Sequence, residues 1–158
     1  MGREYRIVWA GRHDRRAWGE ICDRYRRRIE RVTPVRETPV KVRGTAGSAG
    51  DDERRAAEGE AILAALPDPV WLIALDSRGR AMSSRALAAE LTRLRRDWPH
   101  PVVFALGSDA GLDDAVLQAA RRVLSFGPMT LSHELARVVL YEQLYRVTSI
   151  QSGTGYHR

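Results

Sequence analysis

Two uninterrupted apolar runs, "VWLIAL" at residues 70–75 and "PVVFAL" at 101–106, constrain this chain more than any other feature. A strand with one wet face alternates apolar and polar residues, whereas a run without alternation is buried on both faces. Neither run approaches the ~20 apolar residues that a membrane-spanning helix needs. Between them, Leu87, Leu91, Leu94 and Trp98 recur at helical spacing, and Ser83 and Ser84 stand in front as N-cap residues. Strand, helix and strand in that order, with both strands doubly buried, predict a mainly parallel sheet with helices on its two sides.

The rest of the chain fits that architecture. Tyr5 to Trp9 reads as a strand, and Val35 to Val42 as a second one near an edge, because Pro39 cannot donate to a ladder. Residues 14–31 place Trp18, Ile21, Cys22, Tyr25 and Ile29 on one helix face. "RGTAGSAGDDE" reads as a flexible loop, followed by a helix from about Asp52 to Leu66. A further helix is predicted to carry Val116, Leu117, Ala120, Val123 and Leu124, and a last one runs from about His133 to Val147. With 158 residues, 44% of them hydrophobic and 29% charged, and no internal repeat, we expect one α/β domain over residues 1–158.

Charge and cysteine narrow the partners. The net charge is +6, and Lys41 is the only lysine among 26 basic residues. Arginine suits phosphate because its fork donates two hydrogen bonds at once, so a nucleic acid is the expected kind of partner. Arg24, Arg27, Arg28 and Arg31 form a stripe on the first helix, either a solvated face or a phosphate-contacting one. The single cysteine, Cys22, forbids an internal disulfide, cannot build a metal site alone, and lies in the apolar stripe as a packed thiol. The first residues lack the apolar core of a signal peptide, so the expected location is cytoplasmic, with no membrane and no metal.

In an open α/β sheet, ligands sit outside the carboxyl ends of the strands. Three loops fall there: Leu75-Asp76, "GSDAGL" (107–112) and "GPMTLS" (127–132). There is no GxxxxGK[ST], and no GxGxxG follows the first strand, so neither common nucleotide fold matches. The last helix is apolar almost all round, which calls for cover on more than one side. Since the sheet covers one side only, a second subunit is expected on the other, making a homodimer. His133 and Arg137, one turn apart, share a face expected to look into the site, although His133 also reads as a cap or surface histidine.

Together, "LSFGPMTLSHELARVVLYEQLYR" with a terminal "YHR", "LIALDSRGRAMSS", "FALGSDAGL" and the early "WAGR" resemble the bacterial large-subunit ribosomal RNA methyltransferase H family of the SPOUT superfamily. The resemblance covers essentially the whole chain. It implies a C-terminal trefoil knot and an S-adenosylmethionine pocket lined by Leu75, Gly107, Ser108, Gly127, Pro128, Met129, Thr130, Leu131 and Ser132. It also implies a homodimer acting on assembled ribosomes, methylating N3 of a pseudouridine in a 23S rRNA hairpin. Transfer at N3 needs a proton acceptor and a cation beside the developing negative charge. His157 and Arg158 are expected in those roles, with Tyr156 stacking on or orienting the base, His133 as an alternative acceptor and Arg137 as a substrate contact. Two positions depart from the family pattern: Ser108 stands at a usual second glycine, and Ser132 at a common proline. A positive φ at Ser108 would store strain of order 1–3 kcal/mol. The rival readings are a ribosome- or RNA-binding protein that has lost catalysis, and an enzyme acting on a small nucleotide.

Overall fold

The computed structural model describes residues 3–12, 16–42 and 50–156. It contains β1 (Tyr5–Ala10), α1 (Ala17–Ile29), β2 (Val35–Val40), α2 (Asp51–Ala64), β3 (Trp71–Ala81), α3 (Ser84–Asp97), β4 (Val102–Leu106), α4 (Asp114–Ala119), β5 (Arg122–Ser125) and α5 (His133–Ser152). The strands form one sheet in the order β2-β1-β4-β3-β5, and every neighbouring pair is parallel. The two apolar runs are the central β3 and β4, as their lack of alternation requires. Pro39 lies on β2 at the sheet edge, where a missing N–H costs no ladder bond.

Alternation within each strand divides the interior in two. Ile7, Trp9, Ile73, Phe104 and Leu106 pack with Cys22, Leu87, Leu91, Leu140, Tyr141 and Leu144, from α1, α3 and α5. Val8, Ala10, Leu72, Ala74, Val103 and Ala105 pack with Ile62, Leu112 and Val116, on the side of α2 and α4. One row across the sheet, Glu37, Ile7, Phe104, Ile73 and Arg122, is apolar in the middle and charged at both edges. Each edge charge is met by a helix of the first layer. Arg122 pairs with Glu90 of α3 at 2.6 Å, and Glu37 pairs with Arg137 of α5.

Two expectations need correction. Val123 and Leu124 belong to β5 and not to the preceding helix, which ends at Ala119 because Ala120 is extended (ψ 136°). β3 does not stop at Leu75: it leaves the β5 ladder there and returns at Arg80, so Leu124 faces both residues. Gly79 permits this, since a Cβ there would stand 2.6 Å from the Val123 carbonyl. Within the chain α5 packs against α1, α3 and β4, while its Leu135 stays exposed and Val138 and Val139 half-buried.

Cys22 is buried in the first core, and burial, opposed by Arg137, pushes its thiol up to about 11. Thiolate, not thiol, is the reactive form. A water-soluble thiol reagent should therefore leave Cys22 unmodified at pH 8 for as long as the protein is folded, and label it fully in denaturant. Rapid labelling of the folded protein would contradict this packing.

Candidate active site

All three loops picked out in the sequence converge at the carboxyl edge of β3, β4 and β5. They enclose a cleft of about 520 Å³, within the range of small-molecule sites. Its floor is apolar, with Leu75, Leu106, Leu124 and Phe126, and its walls carry Asp76, Ser77, Ser108, Asp109, Thr130, Ser132, His133 and Glu134.

The loop after β4 is built tightly. Gly107 passes so close to Gly111 that a Cβ would stand 2.5 Å from the Gly111 carbonyl carbon and oxygen. Gly111, at φ 83°, returns its N–H to the Ser108 carbonyl at 3.0 Å. Ser108 carries none of the feared strain, because no described residue other than glycine has a positive φ. Its hydroxyl instead accepts from the Ala110 N–H (3.2 Å) and donates to the buried Glu58 carboxylate (2.7 Å). Helix α2 grips the same loop twice more: Arg55 donates to the Ala110 carbonyl at 3.2 Å, and Arg54 pairs with Asp109 at 3.3 Å.

The stretch of β3 that leaves the β5 ladder, residues 76–79, is strapped to this loop. Arg78 donates to both oxygens of Asp76, to the Leu112 carbonyl (3.2 Å) and to Asp114 (3.0 Å). Burial works to raise the Asp76 carboxyl, but the hydrogen bonds from Arg78 win and hold it below the ordinary aspartate range. Asp76 therefore stays charged at neutral pH, on the cleft wall.

The loop after β5 turns on Ser125, whose hydroxyl accepts from the Gly127 N–H (3.1 Å) and donates to the Gly127 carbonyl (3.0 Å). Gly127 has φ 125° and open space where a Cβ would stand. The chain then crosses the cleft through Met129, which is 82% exposed, to Ser132. The Ser132 hydroxyl accepts from the Leu135 N–H at 3.3 Å and so caps α5. Serine is a working substitute for proline here.

Of the expected pocket residues, Leu75, Gly107, Ser108, Gly127, Met129, Thr130, Leu131 and Ser132 line the cleft, and Pro128 does not. His133 also lines it. Its Nε2 stands 2.7 Å from the Arg12 carbonyl, which can only accept, so Nε2 carries the hydrogen. Arg137 does not share that position. It is 5% exposed, lies 4.6 Å over the Trp9 ring, and makes three hydrogen bonds of 2.6–3.0 Å to Glu37. Tyr141 adds a fourth to the same carboxylate at 2.6 Å, and burial together with Glu37 drives its hydroxyl pKa up. The expectation that Arg137 looks into the site beside His133 is thus corrected: a turn of helix carries it to a partner on the edge strand.

Tyr156 is also absent from the cleft lining. Its ring packs 4.5 Å from Tyr145, twelve residues along α5 from His133. His157 and Arg158 lie outside the described residues.

Sequence reasoning missed Gly11 and Glu58. Gly11 has φ 94°, and a Cβ there would stand 2.9 Å from the Ser108 Cβ and 3.3 Å from the His133 Nε2. The "WAGR" segment thus threads between two of the three cleft loops, which gives that short motif its physical reason. Nothing local marked Glu58, whose partner Ser108 is fifty residues away.

A family described as "Predicted SPOUT methyltransferase" matches residues 4–157. The chain is 40% identical to a ribosomal RNA large subunit methyltransferase H of Solidesulfovibrio magneticus, over 96% of this chain and 97% of that one. It is 42% identical to the protein of the same name from Gluconacetobacter diazotrophicus, over 97% and 96%. Its fold is similar to that of a probable methyltransferase from Bordetella pertussis Tohama I, with a TM-score of 0.53 at 18% identity, over 92% and 93% of the two chains. An all-parallel sheet with its cleft at the strand ends, matched to one family model over nearly its full length, leaves a single assignment: this chain belongs to the SPOUT methyltransferase family.

Proposed function

We propose that the protein transfers a methyl group from S-adenosylmethionine to N3 of a pseudouridine in a hairpin of large-subunit rRNA, acting on assembled ribosomes. The observation that carries the proposal is the convergence of the three sequence-marked loops on one cleft in a member of a methyltransferase family. The residues present suit such a ligand. An apolar floor takes a purine ring, the close backbone at Gly107, Gly111 and Gly127 admits a ligand, and Asp76 offers a fixed negative charge to a cationic one. When bound, S-adenosylmethionine supplies an activated methyl group. The chain's own part is to hold it, to exclude water, and to take the N3 proton.

For that proton we assign His157 as acceptor, with Arg158 beside the negative charge that develops and Tyr156 stacked on the base. His133 is the alternative acceptor: with its Nε2–H held by the Arg12 carbonyl, Nδ1 is the nitrogen left to take a proton. Within one chain Tyr156 is displaced from His133 by twelve residues of helix, roughly 18 Å along the axis. The tail therefore serves the cleft of a second copy, and we propose a homodimer on that ground together with the incompletely covered apolar face of α5. The threading of the last third of the chain through an earlier loop, implied by the family resemblance, belongs to the same proposal.

His157→Ala should bind S-adenosylmethionine with wild-type affinity by calorimetry and lower the rate of methyl transfer to ribosomes about a hundredfold. Full transfer by this variant would remove His157 from the mechanism. A protein that binds the cofactor but modifies no RNA in any form would favour the RNA-binding reading instead.

A further inference from the structure

The arginine stripe of α1 and the C-terminal tail form one surface. Arg24, Arg27, Arg28 and Arg31 are all exposed, and among the described residues none of the four makes an ion pair. Of the carboxylates near them in sequence, Asp23 and Glu30 are engaged by Arg26, on another side, at 2.9 and 3.9 Å, while Glu20, one turn before Arg24, makes no ion pair among the described residues. At the centre of the stripe, the Arg28 guanidinium stands 5.4 Å over the Tyr145 ring. Tyr145 in turn touches Tyr25 (5.9 Å between centroids) and Tyr156 (4.5 Å). Arg146 completes the stack, 5.0 Å over the Tyr156 ring, with its Nη1 donating to the Tyr156 carbonyl at 3.2 Å. Glu142, a carboxylate beside this cluster, is held by Arg146 and Gln143. Unpaired positive charge thus covers one side of α1, and through Tyr145 it adjoins Tyr156, the residue preceding His157, where Arg146 is itself paired with Glu142.

We propose that this face of α1 is the docking surface for the rRNA phosphates that flank the nucleotide presented to the tail. The inference rests on the functional reading above, in which the tail faces the reacting base. If Tyr156 and His157 approach a nucleotide, the sugar–phosphate backbone on either side of it must pass close by. The continuous stack from Tyr156 through Tyr145 to Arg28 puts unpaired guanidinium groups there. Residues 24 to 29 extend about 8 Å along the helix and Arg31 stands in the turn just beyond it, enough to follow a strand and not merely to meet one phosphate. Arginine's fork suits phosphate oxygens.

The test is the salt dependence of binding to intact ribosomes. In Arg24→Gln/Arg27→Gln/Arg31→Gln, glutamine keeps the helix and Arg28 keeps its place on Tyr145. The slope of log K against log salt should fall by about 2 to 3, close to one per lost phosphate contact, while S-adenosylmethionine affinity stays at the wild-type value. Arg85→Gln/Arg93→Gln, which removes exposed charge from α3, should leave the slope unchanged. An unchanged slope in the triple variant, or an equal loss per charge in the α3 control, overturns the docking surface. Wild-type protein that binds ribosomes with the expected slope but methylates nothing contradicts the functional reading while supporting this surface. Failure of the wild type to bind ribosomes overturns both.

Discussion

Gly107→Ala should weaken S-adenosylmethionine binding by about ten- to a hundredfold while leaving the sheet folded. The added Cβ would stand 2.5 Å from the Gly111 carbonyl carbon and oxygen and 2.9 Å from the Leu112 nitrogen. All three are backbone atoms, so no flexible side chain can swing away. The contact is relieved only by moving the turn between Ser108 and Gly111, which is fastened by the Gly111 N–H, by Glu58 and by Arg55. Overpacking of this kind costs about 1–3 kcal/mol. Because the turn is a wall of the cleft, much of that cost should appear in binding, where each 1.4 kcal/mol is about tenfold in affinity. Calorimetry and thermal unfolding together separate the two destinations. Wild-type affinity in the variant would mean that this turn does not shape the ligand site.

Arg137→Ala should destabilise the whole domain without touching ligand affinity. The substitution leaves Glu37 with its Tyr141 bond alone and removes the guanidinium that packs on Trp9. Removing one partner of a buried pair costs about 3–5 kcal/mol. For a domain of this size that corresponds to a drop in Tm of roughly 6–20 °C. Replacing both partners with apolar residues, Arg137→Met/Glu37→Leu, should recover much of the loss, since no charge is then left buried alone. An unchanged Tm combined with weaker binding to ribosomes would return Arg137 to the substrate contacts.

Much of this molecule is legible in its residues, and the exceptions have physical causes. β3 and β4 announce themselves because a strand buried on both faces has no other reason to be continuously apolar. β5 does not: Val123 and Leu124 continue the apolar spacing of α4, and only the extended Ala120 breaks the helix. The continuation of β3 through Arg78, Gly79 and Arg80 is hidden because polar residues and glycine read as a loop, and its partner strand comes forty residues later.

The candidate site divides in the same way. Glycine-rich turns after strands are local, and the three loops could be found without tertiary information. Glu58, Gly11 and the true role of Arg137 depend on partners fifty to a hundred residues distant. The spacing from His133 to Arg137 places two side chains near one another on a helix, but it cannot say that Glu37 waits on the edge strand. Ser108 shows the reverse error. Read as an intruder in a glycine position, it is a hydrogen-bonding member of the turn at ordinary φ.

The most direct test of the functional account is transfer of a labelled methyl group from S-adenosylmethionine to intact ribosomes that lack the modification, with free rRNA alongside. The account predicts label on the hairpin pseudouridine at N3, from assembled ribosomes and not from free rRNA. Absence of label from both substrates, with a protein that is folded and binds S-adenosylmethionine, would contradict it.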